Sequence, residues 1–135
     1  MQLLGLGPIF AILFFVGCDG GDSNGKLVVV TTTTHVTDIV KFVAGDRLDV
    51  IALMGPGVDP HLYKPSAGDA ATLAKADLIF FSGLMLEGRM ADIFAKVSRR
   101  GTKTYAVTEN ISEKLLLEPE EFEGHWDPHV WFDPA

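Results

Sequence analysis

Two kinds of apolar pattern alternate along residues 27–107. Four short runs rich in β-branched or aromatic residues predict strands, and apolar residues at helical spacing between them predict helices. The predicted strands are 27–32, 48–54, 77–82 and 102–107, and the predicted helices are 36–44, 67–75 and 87–98. Helices that connect successive strands are typical of right-handed βαβ units. We therefore predict an α/β fold, a parallel sheet with flanking helices.

Local signals support the helix boundaries. Gly45 is a C-terminal stop for helix 36–44, whose apolar stripe consists of Val36, Ile39, Val40 and Val43. Ser66 followed by Asp69 resembles a capping box at the start of helix 67–75.

Ligands of such sheets bind beyond the carboxyl ends of the strands. His35, the loop 55–63 and the loop 83–87 follow three of the predicted strands. We expect these segments to share one rim of the sheet and to form the binding site there.

The amino-terminal segment has a different character. Residues 3–17 are apolar and uncharged over 15 positions, the length of a signal-peptide core and short for a bilayer span. The following Cys18 ends a stretch that resembles a bacterial lipobox, in which the cysteine is lipidated. We predict a signal peptide over 1–17, a flexible Gly-rich tether over 18–25 that begins at a lipidated Cys18, and a folded lobe over 26–135. A plain cleaved signal and an uncleaved membrane helix are the alternatives to the lipid anchor. A lipid anchor and a cleaved signal both place the protein outside the cytoplasm, in the periplasm or on the cell surface.

Charge and cysteine content exclude several classes of function. The chain has 11 Lys and Arg against 18 Asp and Glu, a net charge of −7, so nucleic-acid phosphates would repel it. With Cys18 as its single cysteine, the chain contains neither an internal disulfide nor a multi-cysteine metal site. No glycine spacing fits a phosphate-binding loop.

The tripeptide Asp-Pro-His occurs twice, at 59–61 and at 127–129. Proline stiffens each loop, and neutral imidazole is the commonest metal ligand. We therefore predict His61 and His129 as a metal-ligating pair, with Asp59 or Asp127 orienting a ring through its other nitrogen. The alternative is that each is an ordinary loop histidine.

Longer segments around these tripeptides resemble one known family. Residues 53–66, LMGPGVDPHLYKPS, and 127–134, DPHVWFDP, are similar to the two metal motifs of the cluster A-I solute-binding proteins. These TroA-like zinc and manganese lipoproteins serve ABC importers. Residues 76–79 and 83–87 also resemble the family, and the similarity covers residues 27–135.

The resemblance implies the N-terminal lobe of a two-lobe periplasmic-binding-type fold. His61 and His129 would be first-lobe ligands of a divalent Mn, Zn or Fe ion that the protein hands to a membrane permease. The resemblance implies no enzymatic activity, and we expect a monomer. Because the second lobe and its two ligands have no counterpart in the sequence, we expect a fragment that binds metal weakly on its own.

The stretch 118–126 is acidic and holds one histidine, whereas many zinc-specific relatives carry a His-rich loop before the second motif. This difference favours manganese or a mixed specificity.

Five further side chains are candidates for supporting roles. His35 and His125 are auxiliary metal groups or ordinary surface histidines, and Glu87 is a hydrogen-bond partner of the site or a helix-start carboxylate. We expect Trp131 and Phe132 to be core anchors beside the site.

Two other functions remain open at this point. The histidine pair could hold zinc in a hydrolase, in which a metal-bound water attacks the substrate. The chain contains no His-Glu-x-x-His or similar catalytic pattern. An adhesin-like surface lipoprotein is the second alternative.

Overall fold

The computed structural model describes residues 25–122 and 124–132, so the predicted signal peptide, Cys18 and most of the tether lie outside the described residues. Strands and helices alternate in the predicted order. They are β1 (Leu27–Thr31), α1 (Thr34–Ala44), β2 (Leu48–Ala52), α2 (Ala67–Lys75), β3 (Leu78–Phe81), α3 (Ala91–Arg99) and β4 (Lys103–Ala106). Among the described residues, no helix is long and apolar enough to cross a bilayer.

The four strands form one parallel sheet in the order β2-β1-β3-β4, which confirms the predicted fold class. Val29 of the central strand β1 lies opposite Val50 of β2 and Leu78 of β3. Because β1 is covered on both faces, Val29 and Val30 are fully buried. This burial explains the uninterrupted β-branched run.

Helices cover both faces of the sheet. On the face that Val30 shares, α2 and α3 form the larger core, whose buried members include Leu73, Ile79, Met90, Phe94 and Val97. On the opposite face, α1 packs Val36 and Val40 against Val29. The sheet is thus held between helices and presents its carboxyl edge as a rim.

The predicted apolar stripe of α1 is only half buried. Ile39 and Val43 are 57% and 67% exposed. They line an open groove that continues onto Leu78 and Phe80 of β3. The reason is that α1 lies over β1 and β2, and within the described residues no second helix covers the β3 side of this face.

Helix α3 begins later than the predicted residue 87. A 3₁₀ turn at Gly88–Met90 comes first, and α3 itself starts at Ala91. Leu84 and Met85 before it have positive φ values of 48° and 64°. The chain therefore turns tightly after β3, because left-handed residues cannot continue a right-handed helix.

The capping box of α2 is confirmed. Ser66 Oγ accepts a hydrogen bond from the Asp69 N–H, and Asp69 Oδ2 accepts one from the Ser66 N–H. Tyr63 also donates to Asp69 Oδ2, at 2.9 Å. Burial and this bond raise the pKa of Tyr63 to about 12. Partial burial opposes ionisation of Asp69, but the bonds from Ser66 and Tyr63 outweigh it and lower the pKa of Asp69. The network ties the chain just after His61 to the start of α2.

Candidate metal centre

The structure brings His61 and His129 together, although 68 residues separate them in the sequence. Their Nε2 atoms are 3.2 Å apart, and their ring centroids are 5.3 Å apart. Both rings line a cavity of about 320 Å³ on the predicted rim. Its other walls include His35 after β1, Met54 after β2 and Leu86 after β3.

The two Asp-Pro-His tripeptides have the same backbone arrangement. Asp59 Oδ1 accepts a hydrogen bond from the His61 N–H at 2.9 Å, and Asp127 Oδ1 accepts one from the His129 N–H at the same distance. An Asp side chain that bonds to the backbone two residues later forms a stable local turn. Each histidine is therefore presented from a fixed loop.

The two carboxylates differ in what they do to the rings. Asp127 Oδ1 lies 2.6 Å from Nδ1 of His129. A carboxylate at Nδ1 places the ring proton there and leaves the Nε2 lone pair free for a metal. The backbone N–H and the ring of His129 lower the pKa of Asp127. Asp59 Oδ1 instead bonds to the His61 backbone, so the expected orienting role fits Asp127 and not Asp59.

The separation of the two nitrogens suits a single zinc ion. Two nitrogens that each lie about 2.05 Å from zinc, at a tetrahedral angle of about 109°, are about 3.3 Å apart. The Nε2 atoms of His61 and His129 are 3.2 Å apart. Over residues 25–122 and 124–132, no group of three His, Cys, Asp or Glu side chains is placed to hold a metal. The described part of the lobe thus brings two imidazole nitrogens together, without a third side chain of these types placed beside them.

The two auxiliary histidines occupy different places. His35 lines the cavity, where its ring stacks on Trp131 with a centroid distance of 4.5 Å. His125 is exposed and is not one of the described residues that line the cavity. Of these two histidines, only His35 is therefore positioned to influence the pair His61 and His129.

Glu87 lies beneath the rim and is only 4% exposed. Its carboxylate accepts hydrogen bonds from Thr32 Oγ1 at 2.6 Å, from the Ser82 N–H at 2.8 Å and from the Gly83 N–H at 3.3 Å. Because these donors follow β1 and β3, Glu87 joins the carboxyl ends of the two strands. Glu87 also stands directly before the 3₁₀ turn Gly88–Met90, as a helix-start carboxylate would, but its side chain makes no capping hydrogen bond to that turn.

The two aromatic residues of the second motif do not form a core together. Phe132 is 77% exposed, so its prediction as a core anchor is wrong, whereas Trp131 is a half-buried wall of the cavity. Sequence reasoning also missed Thr32 and Ser82 as partners of Glu87, because neither has a local pattern that marks it.

Replacing Asp127 with asparagine should weaken zinc binding by about tenfold. This is the lower end of the loss of metal affinity seen when the hydrogen-bond partner of a metal-ligating side chain is removed. Asn keeps the size of the side chain but removes the charge that holds the proton on Nδ1 of His129. Competition against a zinc-sensitive dye measures the change. Asp59→Asn is the matched control, since the Asp59 carboxylate accepts its hydrogen bond from the backbone N–H of His61 and not from the ring. Equal losses in the two variants would contradict the difference between the two carboxylates.

Known proteins with similar sequences are metal-binding proteins. The family model described as ZnuA, "Zinc-uptake complex component A periplasmic", matches residues 29–135. The zinc-binding protein TroA of Treponema pallidum is 44% identical over 134 residues, which are 97% of this chain and 42% of TroA. The manganese-binding lipoprotein MntA of Bacillus subtilis is 43% identical over 129 residues, 92% of this chain and 41% of MntA.

Solved structures agree with this assignment. The periplasmic zinc-binding protein TroA from Treponema pallidum aligns with a TM-score of 0.75 and 47% identity, over 81% of this chain and 38% of that one. The Zn(II)-bound ZnuA-like domain of Streptococcus pneumoniae AdcA aligns with a TM-score of 0.69 and 35% identity, over 82% of this chain and 39% of that one. The chain thus spans about two fifths of the length of its curated relatives. The relatives are named as binding proteins, in agreement with the prediction that the chain is not an enzyme. The expected resemblance is therefore confirmed, and the chain belongs to the ZnuA family.

Proposed function

We propose that this chain is the metal-capturing part of an extracytoplasmic solute-binding protein of an ABC importer. His61 and His129 bind one divalent transition metal through their Nε2 atoms. The observation that carries the proposal is the 3.2 Å separation of these two nitrogens at the rim cavity.

The cargo we propose is zinc or manganese, with iron as a further candidate. Imidazole nitrogens suit zinc and iron, and TroA is named as zinc-binding. MntA, at nearly the same identity, is named as manganese-binding. Carboxylate ligands favour manganese, so side chains outside the described residues would decide between the metals. The net charge of −7 favours the approach of any of these cations.

Delivery to a permease completes the proposed role. Relatives such as PsaA of Streptococcus mitis are named as substrate-binding lipoproteins of manganese ABC transporters. We propose that Cys18 carries a lipid anchor after removal of 1–17, that 18–25 tether the lobe to the membrane, and that a permease subunit receives the ion. Two protein ligands hold the ion loosely, and ligands from a second lobe would complete the site.

Equilibrium dialysis of the chain against zinc tests the capture step. We expect one zinc ion per chain and a dissociation constant above about 1 μM, because structural zinc sites with tight binding use four protein ligands and this lobe offers two. Manganese should also bind, and more weakly, since nitrogen ligands favour zinc over manganese. Absence of zinc binding would contradict the proposal, and binding well below 1 μM would contradict the two-ligand site.

A further inference from the structure

Trp131 lies between two histidine rings. One face of its indole stacks on His35, with a centroid distance of 4.5 Å and an interplanar angle of 21°. His129 meets Trp131 edge-on, with a centroid distance of 5.4 Å and an angle of 69°. Trp131 therefore connects α1, which carries His35, to the proposed ligand His129.

Ring contacts, and not a hydrogen bond, hold the indole in place. The Trp131 Nε1 atom is buried, and among the described residues it has no hydrogen-bond partner. A buried indole N–H normally finds a partner, which would fix the ring. In its absence, ring contacts orient Trp131, and the stack on His35 is the one with the shortest centroid distance, 4.5 Å against 5.4 Å to His129 and 5.5 Å to Phe132.

The ring of His129 needs a second contact to be fixed. Its Nδ1 is held by Asp127 at 2.6 Å, and one hydrogen bond leaves the ring free to tilt about that contact. The T-shaped contact with Trp131 limits this tilt from the side. The direction of Nε2, and so its 3.2 Å distance to His61, depends on where Trp131 lies.

We propose that His35 is a positioning residue for the metal site, acting through its stack on Trp131 and not as a ligand. In the described part of the chain, no three potential ligand side chains are grouped to hold a metal, which supports the view that His35 is not a ligand. The inference rests on the proposed metal site and adds a residue on α1 that controls its geometry.

Zinc titrations of the full chain test this role. A Trp126→Phe background leaves Trp131 as the single tryptophan, since the chain has two. In that background, His35→Ala should weaken zinc binding by about three- to tenfold, the range that loss of one aromatic pair supplies. His35→Phe keeps the stack without a ring nitrogen and should bind zinc within about twofold of the parent, because the aromatic contact is preserved. His125→Ala is the matched control and should bind like the parent.

Emission of Trp131 without zinc reports the stack itself. His35→Ala should shift the emission to longer wavelength, because water replaces the imidazole, and His35→Phe should restore it. Equal loss of affinity in His35→Phe and His35→Ala would show that His35 is a ligand and would overturn the positioning role. Unchanged zinc affinity in His35→Ala would overturn it as well.

A fourth variant separates this inference from the proposed function. If His61→Ala loses zinc binding while His35→Ala does not, only the role of His35 is wrong. If His61→Ala binds zinc like the parent, the metal site itself is wrong, and the inference falls with it.

Discussion

Replacing either His61 or His129 with alanine is expected to weaken zinc binding by about 100-fold. Loss of a ligand should reduce the metal affinity at least as much as loss of a ligand's hydrogen-bond partner does. The physical reason is that, in the proposed site, the two Nε2 atoms, 3.2 Å apart, would hold one ion as a chelating pair. Removal of one ring leaves a single nitrogen in an open cavity. The double variant should then be little weaker than either single variant, because residues that act as a unit are not additive.

Competition titrations with a zinc-sensitive dye measure all three variants on one scale. His125→Ala is the control, because His125 is an exposed histidine away from the cavity lining. Additive losses in the double variant would mean that the rings bind separate ions. A single variant that keeps the parental affinity would remove that ring from the site.

Gly83→Ala is expected to destabilise the fold by about 3 kcal/mol, from backbone strain combined with steric overlap. Gly83 follows β3 and has a φ of +93°, where an L side chain is strained. A Cβ at this position would overlap Thr108 Oγ1 and lie 2.9 Å from the Cβ of Ala106. Thr108 cannot easily move away, because its hydroxyl is buried and donates to the Ser82 carbonyl at 2.8 Å.

Gly101→Ala separates the two contributions. Gly101 has a similar φ of +102°, but nothing lies within 4 Å of a Cβ built there. It should cost about 1 kcal/mol, from the backbone alone. Urea unfolding gives both free energies, since a small domain usually unfolds in one step. Equal costs in the two variants would show that the contact with Thr108 does not constrain the turn after β3.

Much of the fold could be predicted because its signals are local. The β-branched run at 27–32 identifies a strand buried on both faces, and Ser66 with Asp69 marks the exact start of α2. The start of α3 could not be predicted, because it depends on the left-handed Leu84 and Met85 above the buried Glu87. These are tertiary constraints, and the helical spacing of apolar residues does not indicate them.

In the candidate metal site, too, some features have local sequence signals and others depend on tertiary contacts. The repeated tripeptide predicts that His61 and His129 act together, and their rings do meet. It cannot distinguish Asp59 from Asp127, because the local sequences are the same and the surroundings of each ring decide which carboxylate reaches it. The stack of His35 on Trp131 joins residues 96 positions apart, so no local pattern could indicate it.

Anomalous scattering from crystals of the chain grown with zinc tests the central claim most directly. The account predicts one zinc peak about 2.0–2.1 Å from both the His61 and the His129 Nε2 atoms, the usual length of a zinc–imidazole bond. A zinc ion bound by only one of these rings, or bound away from the rim cavity, would contradict it.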